Sequence, residues 1–488
     1  MLFNSVPFVA FFSIVFPLYW FVFGHNLKLQ NAFLLSGCYV FYGWWNWHFL
    51  FLLILTSLLN YALGYYMGKT NNLIKKRLLL NTGVFAAIGS LFYYKYTNFF
   101  IDSFVQLFRK FDIHLNIHTL NIFLPLGISF YTFRTLSYLF DINRGKLKPT
   151  TDWVAFFTYV AFFPSVIAGP IDRGGTLIPQ IQKKRVFDYA HAADGMRQIL
   201  WGLFKKIVIA DNCASVVNPI FNNYQSLPAS SLLISAFFYA MQIYADFSGY
   251  SDIAIGVARL LGFNITRNFA YPYYSQNIAE FWRKWHMSLT SWLTDYIFTP
   301  ASIRFRDFDK LGLIAAILVT FLVSGIWHGA NWTFVLWGFL YGCYFIPLIL
   351  KGKMNKKKDI PINRSATFKE WVNMASTFLL VMFTLVIFRS DSINQAFNFY
   401  KRLFSKSIFA VPQLNIDPQL GEKTDTIITA ILIIIMMFIE WRQRDKQHAL
   451  QIDFVKSPWA RLCLYYLVTF SILFFGASKV TQFIYFKF

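Results

Sequence analysis

Residues 321–340 read FLVSGIWHGANWTFVLWGFL and place a single histidine, His328, in sequence that is otherwise apolar enough for a membrane interior. A neutral imidazole in such surroundings needs a hydrogen-bond partner, and a charged one is costly, so an intramembrane histidine suggests a functional site. Ser324 and Asn331 stand four residues before and three residues after it, so a continuous helix would put all three on one face. The residues alone leave two interpretations open: a histidine that hydrogen-bonds between packed helices, and a catalytic histidine.

Two glycines lie beside this histidine at helical spacing. Gly325 precedes His328 by three residues and Gly329 follows it directly, so the two glycines are four positions apart. Small residues at this spacing let a neighbouring backbone, or a substrate, come close to a membrane helix. The pair therefore predicts a place of close contact.

The composition extends this picture to the whole chain of 488 residues. It is 56% hydrophobic and 20% aromatic, with only 14% charged residues, and its mean hydropathy is +0.45. Soluble domains carry about 25% charged residues. Long apolar runs indicate an all-α polytopic membrane protein, with about eleven transmembrane or re-entrant helices in one domain over residues 1–488. A β-barrel would show short alternating segments instead.

The formal net charge of +22 has a membrane explanation as well. The cations lie in short loops between apolar runs, which is typical of cytoplasmic loops and of contact with anionic lipid head groups. No nucleic-acid partner is predicted. The lysine-rich residues 351–358 and the basic residues 441–461 are predicted to be cytoplasmic, which puts the C-terminus on the outer side. Four scattered cysteines without a CxxC motif predict no metal site.

A second long apolar segment, residues 230–261, carries the carboxyl groups of Asp246 and Asp252. Carboxylates in an apolar helix are costly unless they are paired. We therefore favour structural ion pairs over acid–base chemistry for both. The candidate partners are Arg259, Arg267, Arg283 and Lys284.

A second histidine lies in a tryptophan-rich segment, residues 280–299, which read EFWRKWHMSLTSWLTDYIFT. Trp282, Trp285 and Trp292 recur near helical spacing, which predicts a helix with His286 beside its aromatic face. Taken by itself, this histidine is interpreted as structural.

Five stretches of the chain together resemble one known family. They are PLGISFYTFRTLSYLFD (125–141), FPSVIAGPI (163–171), YAMQIYADFSGYSDIAIG (239–256), FWRKWHMSLTSWLTDYIFTP (281–300) and SGIWHGANWTFVLWG (324–338). In this order they resemble the membrane-bound O-acyltransferase family, in its branch of alginate O-acetylases and peptidoglycan O-acetyltransferases. The resemblance covers nearly the whole chain and implies a helical bundle with a central tunnel.

The resemblance also implies roles for three residues. His328 matches the essential histidine of the family's WHG motif, and His286 matches a second, assisting histidine. The last six residues, FIYFKF (483–488), are similar to an aromatic motif whose tyrosine carries the acyl group, which here is Tyr485. The residues themselves leave a second interpretation open, an aromatic anchor at the membrane surface. A carrier fused to the large protein favours acetyl transfer over D-alanyl transfer.

The implied chemistry joins two compartments. Acetyl-CoA is the expected donor in the cytoplasm, and a polysaccharide of the cell envelope is the expected acceptor outside the bacterial inner membrane. A phenol has a pKa of about 10 and an imidazole about 6.5, so complete proton transfer from Tyr485 to His328 is uphill by roughly 5 kcal/mol. We therefore expect general-base catalysis concerted with attack. The resemblance further implies a serine-esterase-like partner outside the membrane. Nothing in this chain looks like that second module, since it contains no G-x-S-x-G motif.

Two alternatives stay open on the sequence. One is an acyltransferase of the same family that uses another acyl donor or a lipid or protein acceptor. The other is a polysaccharide exporter without chemistry of its own. Loss of turnover in His328→Ala would separate an enzyme from an exporter, and deletion of residues 483–488 would test the tyrosine carrier.

Overall fold

The computed structural model describes residues 1–354, 360–361, 364–414, 423–477 and 483–484. Within these ranges the chain is helical and has no β-strand, which confirms the predicted all-α class. The chain divides into two compact units, Met1–Gly195 with Val257–Thr266 and Met196–Gly256 with Arg267–Phe488. The single domain over residues 1–488 and the central tunnel stay predictions.

Twenty α-helices follow one another in the described part of the chain. The first ten are α1 Val6–Pro17, α2 Leu27–Gly43, α3 Trp47–Lys69, α4 Leu73–Leu91, α5 Thr97–Arg109, α6 Ile128–Asn143, α7 Trp153–Ala161, α8 Gly174–Gln182, α9 Tyr189–Leu203 and α10 Asp211–Asn222. The next ten are α11 Ala229–Leu260, α12 Ile278–Lys284, α13 Met287–Leu293, α14 Thr299–Arg304, α15 Asp309–His328, α16 Trp332–Leu350, α17 Phe368–Arg389, α18 Ile393–Leu403, α19 Lys423–Arg442 and α20 Pro458–Phe475. π-helical segments cover Leu18–Val22, Phe92–Tyr96, Phe204–Ala210 and Thr294–Phe298, and short 3₁₀ turns cover Pro272–Tyr274, Arg306–Phe308 and Lys406–Phe409.

Five helices in the described part of the chain are long and apolar enough to cross a membrane. They are Trp47–Lys69, Arg306–His328, Trp332–Leu350, Phe368–Arg389 and Pro458–Phe475. A shorter apolar helix covers Val6–Val22. The chain is thus a multi-pass membrane protein, and the count of about eleven spans stays a prediction.

Local sequence explains one helix boundary and one continuous helical stretch. α2 and α3 are separated at residues 44–46, where the Asn46 side chain accepts a hydrogen bond from the His48 N–H at 2.9 Å. α4 continues through the π-helical segment Phe92–Tyr96 into α5. That segment contains no glycine or proline to stop a helix, and the chain passes through it as a π-helical turn.

A buried arginine organises the first unit. Arg134 of α6 is fully buried and donates to the carbonyl oxygens of Tyr159 at 3.2 Å and Pro170 at 3.3 Å, and also to the Ser165 hydroxyl. These acceptors lie in α7 and in the turn that follows it. The interaction holds the short α7 and the turn after it, because irregular backbone at membrane depth must be satisfied by protein groups.

In the second unit α15 and α16 form a close antiparallel pair. A Cβ added at Gly325 would meet the Phe334 carbonyl oxygen and would lie 3.3 Å from the Gly338 Cα. The predicted close approach is therefore confirmed at Gly325, but its partner is Gly338. Gly329 lies beyond the end of α15 with an extended φ of −170°, so the two glycines expected at helical spacing do not share a helix.

Gly325→Ala is expected to destabilise the protein, because the added methyl group forces α15 and α16 apart. Overpacking of this kind costs about 1–3 kcal/mol. The matched control is Gly89→Ala in α4, where an added Cβ meets nothing within 4 Å. There the substitution should stabilise the helix by about 0.5–1 kcal/mol. Thermal unfolding in detergent measures both, and equal shifts in the same direction would contradict close packing at Gly325.

Candidate active site

His328 is the last residue of α15, and only 4% of its surface is exposed. The helix ends there because Gly329 is extended and Asn331 caps the start of α16, where its side chain accepts from the Thr333 N–H at 3.0 Å. Asn331 therefore does not share a helical face with His328, which corrects the sequence prediction. Ser324 remains one turn before His328 in α15 and is fully buried.

Aromatic rings surround His328. Its ring centroid lies 4.9 Å from that of Trp327, 5.0 Å from that of Trp337 and 5.4 Å from that of Phe388. His328 also lines an apolar cavity, together with Ile243, Phe281, Trp282, Trp285, Trp337, Tyr341, Val381, Leu385 and Phe388. Walls of this kind exclude water, which strengthens the electrostatic interactions of a reacting group inside them.

His286 lies at a break in the helix that was predicted over residues 280–299. α12 ends at Lys284 and α13 begins at Met287, and the His286 backbone between them is left-handed with a φ of 43°. Such a conformation is uncommon for a residue other than glycine and needs surrounding contacts to hold it. The prediction of one continuous helix is therefore wrong, and the break points the fully buried imidazole into the interior of the unit.

Asn268 holds His286 in place. The His286 Nδ1 lies 3.0 Å from the Asn268 Oδ1, and the backbone N–H of Ser288 donates to the same oxygen at 3.3 Å. Since that oxygen only accepts, Nδ1 carries the hydrogen in this contact and Nε2 is the basic nitrogen of the neutral ring. The Asn268 backbone oxygen also accepts the Met287 N–H at 2.9 Å. Asn268 thus orients the second histidine, and sequence analysis did not find it because it lies 18 positions away in an irregular segment.

The structure brings the two predicted histidines together around one tryptophan. The Trp327 ring centroid lies 4.9 Å from that of His328 and 6.0 Å from that of His286. His286 also contacts Phe247 of α11, at 4.6 Å between centroids. The arrangement therefore places two buried imidazoles in one aromatic site, next to α11.

The carboxyl groups of α11 are paired, as predicted, but with other residues. Lys205 lies 2.6 Å from Asp252, and Lys206 lies 2.9 Å from Asp246. The four predicted partners have other contacts. Arg259 pairs with Asp194 at 2.5 Å, and Lys284 pairs with Glu280 at 2.7 Å. Arg267 donates to the Phe269 carbonyl at 2.6 Å, and Arg283 donates to the Met354 carbonyl at 3.1 Å. The predicted pairs were wrong because the two lysines lie in a different, π-helical segment about 40 residues earlier.

Tyr485, the third predicted site residue, lies outside the described residues. The two residues before it are described: Phe483 and Ile484 are buried, with 2% and 6% of their surfaces exposed. The Phe483 ring contacts Phe247, the same ring that contacts His286, at 6.0 Å between centroids. In the described ranges no group of three or more histidine, cysteine, aspartate or glutamate side chains is arranged to hold a metal ion.

Comparison with known proteins identifies the family. Residues 146–357 match the profile of MBOAT, the membrane-bound O-acyltransferase family. The chain is 34% identical over 505 residues to the probable alginate O-acetylase AlgI of Pseudomonas putida, with 100% of both chains covered. It is 28% identical to the peptidoglycan O-acetyltransferase of Helicobacter pylori over 100% of this chain and 98% of that one. It is also 29% identical to the teichoic acid D-alanyltransferase of Bacillus subtilis over 54% of this chain and 68% of that one.

These similarities confirm the resemblance drawn from the five sequence stretches, and they confirm an enzyme over an exporter without chemistry. The matched residues, 146–357, include both His286 and His328. The chain belongs to the membrane-bound O-acyltransferase family and is a multi-pass O-acyltransferase.

Proposed function

We propose that this protein transfers an acetyl group from cytoplasmic acetyl-CoA towards a polysaccharide of the cell envelope. The observation that carries the proposal is the pair of buried histidines, His286 and His328, which both contact the Trp327 ring. The relatives that cover the whole chain are named for O-acetylation of alginate and of peptidoglycan, which supports acetyl as the group transferred.

His328 is the proposed general base. It is the histidine that lines the apolar cavity, and its imidazole there can take the proton of an attacking hydroxyl group. The attacking oxygen forms a bond to the thioester carbonyl carbon, the carbon–sulfur bond breaks, and the proton held by the imidazole passes to the departing CoA thiolate. Exclusion of water protects the thioester from hydrolysis.

His286 is the proposed assisting residue. The contact with Asn268 fixes the hydrogen on Nδ1, so Nε2 is oriented as a basic nitrogen. Because the Trp327 ring is in contact with both histidines, His286 also limits how that ring and its neighbour His328 can move. His286 therefore acts through position and through the local field, whereas His328 meets the reacting atoms.

Tyr485 is the proposed first acceptor. The two residues before it are buried against α11, and Phe483 is separated from His286 by the single ring of Phe247. An acetyl phenol ester stays activated, because phenoxide leaves more readily than a sugar alkoxide. Tyrosine is therefore a better relay than serine, and the attack needs His328 because a phenol with a pKa of about 10 is protonated at neutral pH.

The second half of the reaction is assigned to another protein. We propose a serine-esterase-like partner outside the bacterial inner membrane, which takes the acetyl group from Tyr485 and passes it to a polysaccharide hydroxyl. This requires the C-terminus on the outer side, as the two basic segments predict. The partner then selects the polysaccharide.

Tyr485→Phe is expected to abolish covalent acetylation of the protein, because phenylalanine has no oxygen to form the ester. Purified protein is incubated with acetyl-CoA, and the mass of the C-terminal peptide is measured by mass spectrometry. The control is Tyr466→Phe in α20, where the side chain is 66% exposed; it should retain the added acetyl group.

Two other results would change the proposal in different ways. An unmodified peptide together with transfer of acetyl to an added partner would contradict the tyrosine relay and favour direct transfer. Modification by another acyl-CoA in preference to acetyl-CoA would contradict the proposed donor.

A further inference from the structure

Six ionisable side chains are gathered in the interior of the second unit, which we call the lysine–carboxyl cluster. They come from the π-helical segment Phe204–Ala210, from α10, from α11 and from α19. Its members are Lys205, Lys206, Asp211, Asp246, Asp252 and Glu440. Charges in such surroundings are costly and mark functional sites. None of them has a role in the acyl-transfer steps described above, so their presence needs an explanation.

The cluster contains more carboxyl groups than lysines. Lys206 lies 2.8 Å from Asp211 and 2.9 Å from Asp246, so one ammonium group serves two carboxylates. Lys205 lies 2.6 Å from Asp252 and donates to the Ser248 hydroxyl at 2.9 Å. Lys206 lies 2.9 Å from the Oδ1 of Asp246, and the Oδ2 of the same carboxylate accepts a hydrogen bond from a donor in a different part of the chain.

That donor is the backbone of the C-terminal segment. The Ile484 N–H donates to the Asp246 Oδ2 at 2.8 Å, across 238 positions of sequence. One residue earlier, the Phe483 ring stacks on Tyr250 at 4.7 Å and contacts Phe247 at 6.0 Å between centroids. Asp246, Phe247 and Tyr250 lie within two turns of α11 and present one carboxylate and two rings to the segment.

We infer that these three residues of α11 form a docking site for the chain's own C-terminal segment, and that Asp246 is a positioning residue for acyl transfer. The acyl-transfer part of this inference rests on the proposed function, because it needs Tyr485 to be the acceptor. Asp246 holds the backbone one residue before Tyr485, while Phe247 joins the same segment to His286.

A carboxylate suits this task better than a neutral side chain. A backbone N–H that is taken from water must find an acceptor, and a charged acceptor makes a stronger and more directional hydrogen bond. Lys206 in turn fixes the orientation of the Asp246 carboxylate. Lys206 and Asp246 therefore hold the segment in one register. This fixes the backbone position that precedes the side chain after Ile484.

The π-helical segment and the first turn of α10 also hold the chain before the docked residues. The Ala477 N–H donates to the Ile207 carbonyl at 3.3 Å, and the Asn212 side chain donates to the Phe475 carbonyl at 2.7 Å. Ile207 follows Lys206 directly. The end of α20 and the docked residues thus both attach next to Lys206.

Hydrogen–deuterium exchange of the C-terminal peptide tests the docking site in the full-length protein. Asp246→Ala should raise the exchange rate of this peptide about tenfold, because a hydrogen bond to a charged group is lost. Phe483→Ala should raise it as well, and it alters only the segment itself. The matched control is Asp252→Ala, which removes the carboxylate paired with Lys205 on the same helix and should leave the peptide unchanged.

A second measurement separates positioning from folding. With acetyl-CoA as substrate, Asp246→Ala should lower kcat for acetylation of the C-terminal peptide and leave KM for acetyl-CoA unchanged.

Wild-type exchange rates in both Asp246→Ala and Phe483→Ala would overturn the docking site, and so would an equal rise in the exchange rate in Asp252→Ala. If the exchange pattern is as expected while Tyr485 takes no acetyl group, docking stands and the proposed relay fails. If Tyr485 is acetylated normally in Asp246→Ala, the positioning role fails and the relay stands.

Discussion

Replacing His328 with alanine is expected to lower the acetyl-transfer rate by about 10²–10⁴-fold, the contribution of a positioned general base. The side chain ends α15, is buried, and lines the apolar cavity among Trp337 and Phe388. Without it, no imidazole in that cavity can take the proton of the attacking hydroxyl group. Transfer of acetyl from acetyl-CoA, followed by mass spectrometry and by release of free CoA, measures the loss.

Two further variants separate the chemistry from the packing. His328→Gln keeps a polar side chain of similar reach but cannot take up a proton near neutral pH, so it should be as inactive as His328→Ala. His48→Ala removes an exposed histidine at the start of α3 and should leave the rate unchanged. Substantial activity in His328→Gln would show that the residue acts as a hydrogen-bond partner and not as a base.

Replacing Lys206 with methionine is expected to destabilise the protein by about 3–5 kcal/mol, because it leaves uncompensated charge in the interior. The Lys206 ammonium group is in contact with both Asp211 and Asp246, and all three residues are buried. Methionine has similar length and keeps the apolar packing, so the loss is mainly electrostatic. Thermal unfolding in detergent, at a pH where carboxyl groups are ionised in water, measures the effect.

The rescue and the control test that explanation. Combining Lys206→Met with Asp211→Asn and Asp246→Asn removes the uncompensated charges and should restore much of the stability. Arg306→Gln, which removes an ion pair with Asp307 whose side chains are 77% and 83% exposed, should change stability by less than about 1 kcal/mol. An unrescued triple variant would indicate that Lys206 acts through packing.

Much of the fold was predictable because a membrane helix is determined mainly by the composition of its own segment. A long apolar run predicts its helix wherever it lies, and α11 begins and ends within one residue of the predicted range 230–261. The segment around His328 was equally informative, since a histidine in apolar sequence stands out by composition alone. A charged group in an apolar helix costs free energy, and this cost likewise predicted that Asp246 and Asp252 would be paired.

The remaining features could not be predicted from local sequence. The tryptophan spacing of residues 280–299 favours one helix, and nothing in it indicates the left-handed turn at His286. That turn exists because Asn268 accepts hydrogen bonds from residues after the break. A sequence pattern contains no information about such an acceptor, which comes from another segment.

By itself the sequence determined the helical membrane class and the family, and it singled out the two histidines of the proposed site. Only the tertiary structure decided that both histidines contact the Trp327 ring, that Lys206 pairs with Asp246, and that the Ile484 N–H donates to the same carboxylate. The physical reason is the range of the interactions. Hydrophobic burial acts on each segment through its own composition, whereas a buried polar group is satisfied by whichever donor the folded chain brings within about 3 Å.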